Sequence, residues 1–312
     1  MSLRELPFFD LFVTPDPADA WYKETPGSFD RKPVPAADRA EIEKLYTFLK
    51  AQATGEFKVD WKEVRYRVER RNIVSNYAAG EVIFVCRRFL IRPDGLITLG
   101  VPSALVNKLL DPTVRDGLIV VFGGVGTGKS TVAGTLVKER ITLHGGVAWT
   151  IENPVEADLS VNDGRGIIYQ TEVGNEDEVG GEIVKTLRSS PNLIYIGEIR
   201  KNSAALEAVH AATSGHLIVT THHGNNVSTG LARLAEKSGS ASFLADALHA
   251  AIHLDLKPSP FDNKKLRLTV EPLWVTGADN EEGIRTTLRK GDFHLLKNDI
   301  ERQRRLFQEG KL

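Results

Sequence analysis

The segment Gly123-Gly124-Val125-Gly126-Thr127-Gly128-Lys129-Ser130 fits the P-loop pattern G-x-x-x-x-G-K-[ST]. Its glycines let successive backbone N–H groups turn inward as a nest for phosphate oxygens. Lys129 has the reach to touch β- and γ-phosphates, and the Ser130 hydroxyl can ligate Mg²⁺. The candidate phosphate-binding residues are therefore Gly123, Gly124, Val125, Gly126, Thr127, Gly128, Lys129, Ser130 and Thr131. The alternative is a glycine-rich surface turn, and the flanks argue against it. Leu118 to Phe122 is a continuous apolar run of buried-strand type, and Thr131 to Val137 carries apolar residues at helical spacing. Strand, loop and helix in that order bring phosphate to a helix N-terminus.

Three more blocks carry polar groups at the ends of apolar runs. Leu193-Ile194-Tyr195-Ile196-Gly197-Glu198 ends in a carboxylate, which in a P-loop sheet sits near Mg²⁺ and its waters. Glu198 is thus a candidate for the catalytic site and, with Ser130, for the metal. Trp149-Thr150-Ile151 leads to Glu152, at a carboxyl end of the kind where parallel sheets hold ligands. Glu152 could polarise an attacking water, whereas Glu156 is expected to face solvent. His216 and the pair His222-His223 bracket the run Leu217 to Thr221. Zinc is a poor fit there, because no cysteine and no third ligand accompany them. A γ-phosphate sensor or active-site donor suits them better.

Composition sets the frame. The 312 residues are 41% hydrophobic and 26% charged, with a net charge of −1, ordinary values for a globular chain. Such a balance does not favour nucleic acid as a partner. Cys86 is the single cysteine, so an internal disulfide and a multi-cysteine zinc site are excluded; it reads as a small buried apolar residue. No apolar stretch nears the ~20 residues of a membrane span, and no secretory signal is visible, so a cytoplasmic location is expected.

The elements that must position these residues follow from pattern. Residues 1–36 are rich in proline and aromatics and read as an irregular arm. Asp38 is expected to cap a helix whose stripe is Ile42, Leu45, Tyr46 and Leu49. Alternation over residues 57–99, with runs at 82–86 and 96–99 and a turn bracketed by Asn76 and Gly80, predicts a small α+β domain over 37–100. Residues 101–116 read as a linker. From 117 to 312 the pattern is α/β: strands at 118–122, 147–151, 192–196 and 217–221 alternate with helices at 129–141, 177–189, 203–213 and about 240–252. A parallel sheet with helical crossovers follows, then a hairpin near 265–275 and helices at 281–290 and 293–308.

The P-loop, Ile151-Glu152-Asn153-Pro154-Val155-Glu156, Gly197-Glu198-Ile199-Arg200 and the block from Ser214-Gly215-His216 to His223 stand in the order and spacing of the secretion ATPase superfamily. The chain resembles that family from about residue 57 to about residue 300. The resemblance implies a RecA-like ATPase domain preceded by a PAS-like α+β domain. It further implies a homo-hexamer using ATP and Mg²⁺, held at the inner membrane through secretion or pilus machinery. Carried over residue by residue, Lys129 and Ser130 match the phosphate and Mg²⁺ ligands, Glu152 the Asp-box acid and Glu198 the Walker B glutamate. His216 and His223 match the two His-box histidines. In the N-terminal domain Arg67 and Arg87, with Arg88 an alternative to Arg87, resemble arginines that approach γ-phosphate across a domain or subunit boundary, a contact worth about 10³–10⁵ in rate. Asn153 departs from the family's aspartate, and Lys201 from a common aspartate after the Walker B arginine.

The residues around 283–296 are similar to the C-terminal helices of the family's pilus-retraction members. The unmatched N-terminal arm departs from those members and points to conjugative transfer or type IVB secretion, with pilus retraction second. Other classes predict different behaviour. An ATP-binding assembly factor would turn over little ATP. A nucleic-acid translocase would show a basic, aromatic-laced stripe, and a small-molecule kinase would leave Glu152 and the histidine blocks without a role.

Overall fold

A computed structural model describes residues 3–24, 29–52, 55–62, 64–74, 80–88, 90–91, 95–259 and 262–311. The chain divides into two compact units, Met1–Ile91 and Arg92–Leu312.

In the first unit the described residues build one antiparallel sheet. Its strands are β1 (Asp10–Val13), β2 (Trp21–Lys23), β3 (Lys32–Pro33), β4 (Glu56–Trp61), β5 (Val64–Asn72) and β6 (Val82–Arg88), in the order β3-β2-β1-β6-β5-β4. A short strand, β7 (Leu90–Ile91), follows. The expectation of an irregular arm over residues 1–36 is corrected here. Asp10 to Val13 pairs with Arg87 to Phe84 in the middle of the sheet. Leu11 and Val13 are fully buried on its core face, while Pro7, Pro15 and Pro17 lie outside the strand and leave its ladder intact. Helix α1 (Arg39–Lys50) covers the core with Ile42, Leu45 and Leu49. Asp38 precedes it in helical backbone and makes no side-chain cap. Cys86 on β6 is buried between Leu11 and Val68 of the neighbouring strands. The expected turn at Asn76 lies outside the described residues.

The second unit begins with a correction too. Residues 96–99 form a turn rather than a strand, and the expected linker contains helix α2 (Ser103–Leu109). Leu96, Leu105 and Leu109 are fully buried in this unit's core, so the segment is held by packing. The described strands are β8 (Gly117–Gly123), β9 (Gly146–Glu152), β10 (Ala157–Asp158), β11 (Gly166–Glu172), β12 (Leu193–Ile196), β13 (Leu217–His223), β14 (Leu248–Ser259) and β15 (Asp262–Trp274). The main sheet runs β11-β9-β12-β13-β8-β14-β15, parallel throughout except for β15.

Helices cover both faces, which is why β8 reads as an unbroken apolar run. Leu118, Val120 and Phe122 belong to one core, Ile119 and Val121 to the other. Helix α3 (Lys129–His144) lies on the second face; α4 (Val179–Thr186), α5 (Asn202–Thr213), α6 (Val227–Ser238) and α7 (Ala241–Ala247) lie on the first. Gly230 on α6 sits so close to β8 that a Cβ there would enter the Phe122 ring. The expected helix to residue 252 ends at Ala247, because Leu248 to Ile252 is strand β14, buried between β8 and β15. Helices α8 (Glu281–Lys290) and α9 (Lys297–Gln308) close the unit. Among the described residues no helix is long and apolar enough to cross a membrane.

Candidate functional site

The glycine-rich loop leaves β8 at Gly123 and enters α3 at Lys129. Gly123 has φ +158°, and a Cβ there would strike Thr127 Oγ1 and come within 2.7 Å of the Leu254 carbonyl. Gly128 is left-handed at φ +88° and starts α3 without any side-chain cap. The first N–H groups of a 16-residue helix therefore open into the loop, with the positive end of its dipole. Lys129 is only 8% exposed, and its Nζ donates to the Gly124 carbonyl at 2.7 Å. Burial lowers its pKa, while Glu198 and Glu156 pull the other way. A buried ammonium offers three donors, and a phosphate oxygen would complete its shell. The nest, the uncapped helix and the buried ammonium all fit a nucleotide's phosphates.

Sheet order brings the other groups to the same edge. In register, His223 of β13 stands opposite Gly123 of β8, and Ile196 of β12 opposite Thr220 of β13. Glu198, just past β12, thus lies two strand spacings from the P-loop strand, about 10 Å at the backbone. Its Oε1 meets His223 Nε2 at 3.0 Å, and its Oε2 meets Arg200 Nε at 2.6 Å. Arg200 also grips Glu176 at 2.7 Å. Sequence reasoning missed Arg200 and Glu176 as supports; the first stood in a quoted motif, while the second, in an irregular loop, gave no signal. Lys201 pairs with Asp177 at 2.9 Å on the exposed surface.

Glu152 ends β9, one strand further out, and is 4% exposed. Thr150 Oγ1 and Gln170 Nε2 donate to its Oε1 at 2.7 and 3.0 Å. Gly197 faces it closely: a Cβ at 197 would meet Glu152 Cγ at 3.2 Å, so the turn carrying Glu198 rests on the Glu152 side chain. Asn153 donates its amide to the Val173 carbonyl at 2.9 Å, a bond that an ionised aspartate cannot donate. Glu156 is exposed, as expected, yet close enough to attract Lys129.

His216 does not join this group. It precedes β13 at the amino end of the sheet, while His223 closes the same strand at the carboxyl end. Seven residues of strand separate them by about 23 Å, too far for any shared contact. His222 is buried instead: its Nδ1 donates to the Ile199 carbonyl at 2.6 Å, and burial lowers its pKa. It ties β13 to the segment that carries Glu198 and Arg200.

In the first unit Arg67 and Arg87 stand directly opposite each other on β5 and β6. Arg67 pairs with Glu56 at 3.1 Å. Arg87 grips Asp10 through Nε and Nη2 at 2.8 and 3.0 Å and lies over the Phe9 ring. Among the described residues no three His, Cys, Asp or Glu side chains gather to hold a metal ion. A cation at Ser130 and Glu198 would take its other ligands from water and phosphate oxygens, as Mg²⁺ does in such sites.

The family model for type II/IV secretion system proteins matches residues 82–272. The type IV pilus ATPase PilU of Pseudomonas aeruginosa is 31% identical over 238 residues, which cover 74% of this chain and 59% of PilU. The chain thus spans about three-fifths of that relative's length. Among solved structures, the pilus retraction motor PilT with bound ADP superposes with a TM-score of 0.72 at 22% identity, covering 95% of this chain and 86% of PilT. The Legionella pneumophila ATPase DotB superposes with a TM-score of 0.70 at 18% identity, covering 94% of this chain and 85% of DotB. At these identities the structural likenesses speak for the fold.

Proposed function

The chain belongs to the type II/IV secretion system protein family, and from that premise we propose that it is an ATP-hydrolysing motor subunit of a type IV pilus or type IV secretion machine. One observation carries the reading: a buried Lys129 ammonium, folded over an uncapped helix N-terminus, shares a sheet edge with a Glu198 carboxylate clamped by His223 and Arg200.

In the proposed reaction the loop from Gly123 to Thr131 binds the phosphates through backbone N–H groups, and Lys129 neutralises charge between β and γ. Mg²⁺, when bound, would spread the remaining negative charge, with Ser130 and Glu198 as its protein-side partners. Glu152 orients or deprotonates the water; its carboxylate is already aimed by Thr150 and Gln170. His223 is placed to sense phosphate loss through its contact with Glu198. The assignment of Arg67 and Arg87 to the γ-phosphate is carried over from the family; in this chain they pair with Glu56 and Asp10.

The departure of residues 1–36 from the pilus-retraction members speaks for conjugative or type IVB transfer; those residues contribute strands to the first unit's own sheet. The match with a pilus ATPase extends over 74% of the chain, against 57% for a type II secretion system protein E at the same 31% identity, and on that ground we place first a pilus machine driven by a hexamer at the cytoplasmic side of the inner membrane. Steady-state phosphate release tests the chemistry: turnover abolished in Glu198→Gln supports it, and a purified wild-type chain that releases no phosphate overturns it. Capture from native cells with Glu198→Gln tests the machine. Enriched pilin and pilus platform support the pilus reading; a relaxase or coupling protein replaces it with DNA transfer.

A further inference from the structure

The amino end of the main sheet, opposite the P-loop, holds a cavity of about 560 Å³. It opens where β9, β12 and β13 begin, beside the last turn of α3. Its polar lining residues are Arg115, Arg140, Arg165, His144, Asn192 and His216, with no carboxylate among them, and the rest of the lining is apolar. The volume lies in the range of small-molecule sites.

The charge on these walls is only partly compensated, and among the described residues none of it by an ion pair. Arg140 is 6% exposed and donates only to backbone carbonyls, those of Leu109, Asp111 and Val114. Arg115 donates to the Pro112 carbonyl at 3.1 Å and Arg165 to that of Leu143 at 3.5 Å. Among the described residues none of the three arginines makes an ion pair with a carboxylate. The nearby Asp111 and Asp163 accept from Thr113 and from Arg165 and Gly166 backbone N–H groups, and they attract Arg140 and Arg165 without forming an ion pair with them. The negative end of α3 also faces this region with about half a charge, so the three guanidinium charges are offset in part by the aspartates and the helix. His216 Nδ1 is buried with no hydrogen-bond partner. Burial pushes the Arg140 guanidinium down to about 10, while the charge of Asp111 draws it part of the way back.

We propose that this cavity binds a phosphate-bearing anion of nucleotide size, at a site separate from the P-loop. Arg115 and Arg165 would meet the phosphate oxygens, since guanidinium forks match that geometry, and the buried Arg140 adds positive charge behind them.

The test uses inorganic pyrophosphate as probe on the full chain carrying Lys129→Ala, which silences the P-loop. Calorimetry at low salt should show one site saturating below about 1 mM, weakening as salt rises. Adding Arg115→Glu with Arg165→Glu should weaken binding by more than about tenfold. Both side chains are exposed, so the fold should tolerate the change, and circular dichroism checks it. No binding in the Lys129→Ala chain, or equal binding in the charge-reversed chain, overturns the proposal.

Discussion

Lys129 is the side chain on which the chemistry depends most directly. Lys129→Ala removes the ammonium bonded to the Gly124 carbonyl of the loop, so ATP turnover should fall by about 10²–10³ or more, measured by phosphate release; turnover near the wild-type rate would refute the site. Arg200 acts one step back. It touches Glu198 and Glu176, and a positioning partner of this kind is typically worth about 10–100-fold. Arg200→Ala should lower kcat by that order while leaving KM for ATP little changed. The P-loop lysine was legible in the sequence because its spacing encodes its use. Arg200's second partner was not, since Glu176 arrives from a loop 24 residues away whose course depends on packing. His216 shows the converse. It carries the right residue type in the right motif, yet strand length moves it to the wrong end of the sheet.

At the scale of elements, close packing holds the P-loop strand in place. Gly230 lets α6 lie against Phe122, and Phe122 immediately precedes the loop. Gly230→Ala should destabilise the second unit by about 1–3 kcal/mol through overpacking, read by chemical denaturation, with a loss of nucleotide affinity as the loop shifts. Strand β1 makes a parallel case in the first unit. Leu11 is fully buried in a strand interior to the sheet, so Leu11→Ala should cost about 2–5 kcal/mol. An unchanged denaturation midpoint would return residues 1–36 to the status of a loose arm. Elements with one exposed face, such as α1, were readable from periodicity. Strand β14 was not, because burial on both faces erases the polar alternation that distinguishes strand from helix. Strand β1 was hidden by the prolines around it, whose density suggested irregular chain although they only mark its ends.

On the scale of the whole molecule, buried histidines make stability depend on pH. Burial lowers the pKa of His222, His253 and His249, the last from 6.5 to about 4. Asp116 and Glu281 partly oppose the shift of His249, and Arg285 and Arg140 add to it. Each folded-state value lies below the unfolded one, so the unfolded chain takes up more protons in that window. Stability is full above 6.5 and falls as the pH drops toward 4. His249 alone accounts for on the order of 3 kcal/mol, and His249→Gln should flatten the acid limb of a plot of Tm against pH. A slope unchanged by that variant would show the acid loss to lie elsewhere. The division into two units and the buried place of Cys86 bear on how such a protein can be observed. Its thiol sits inside the first unit's sheet, and burial pushes its pKa far above the ordinary value, so maleimides and spin labels should pass it by in the native state. The wild-type chain therefore already serves as a silent background. A pair of engineered surface cysteines, one in each unit, could carry fluorophores or nitroxides and report the separation of the units through a cycle of ATP turnover.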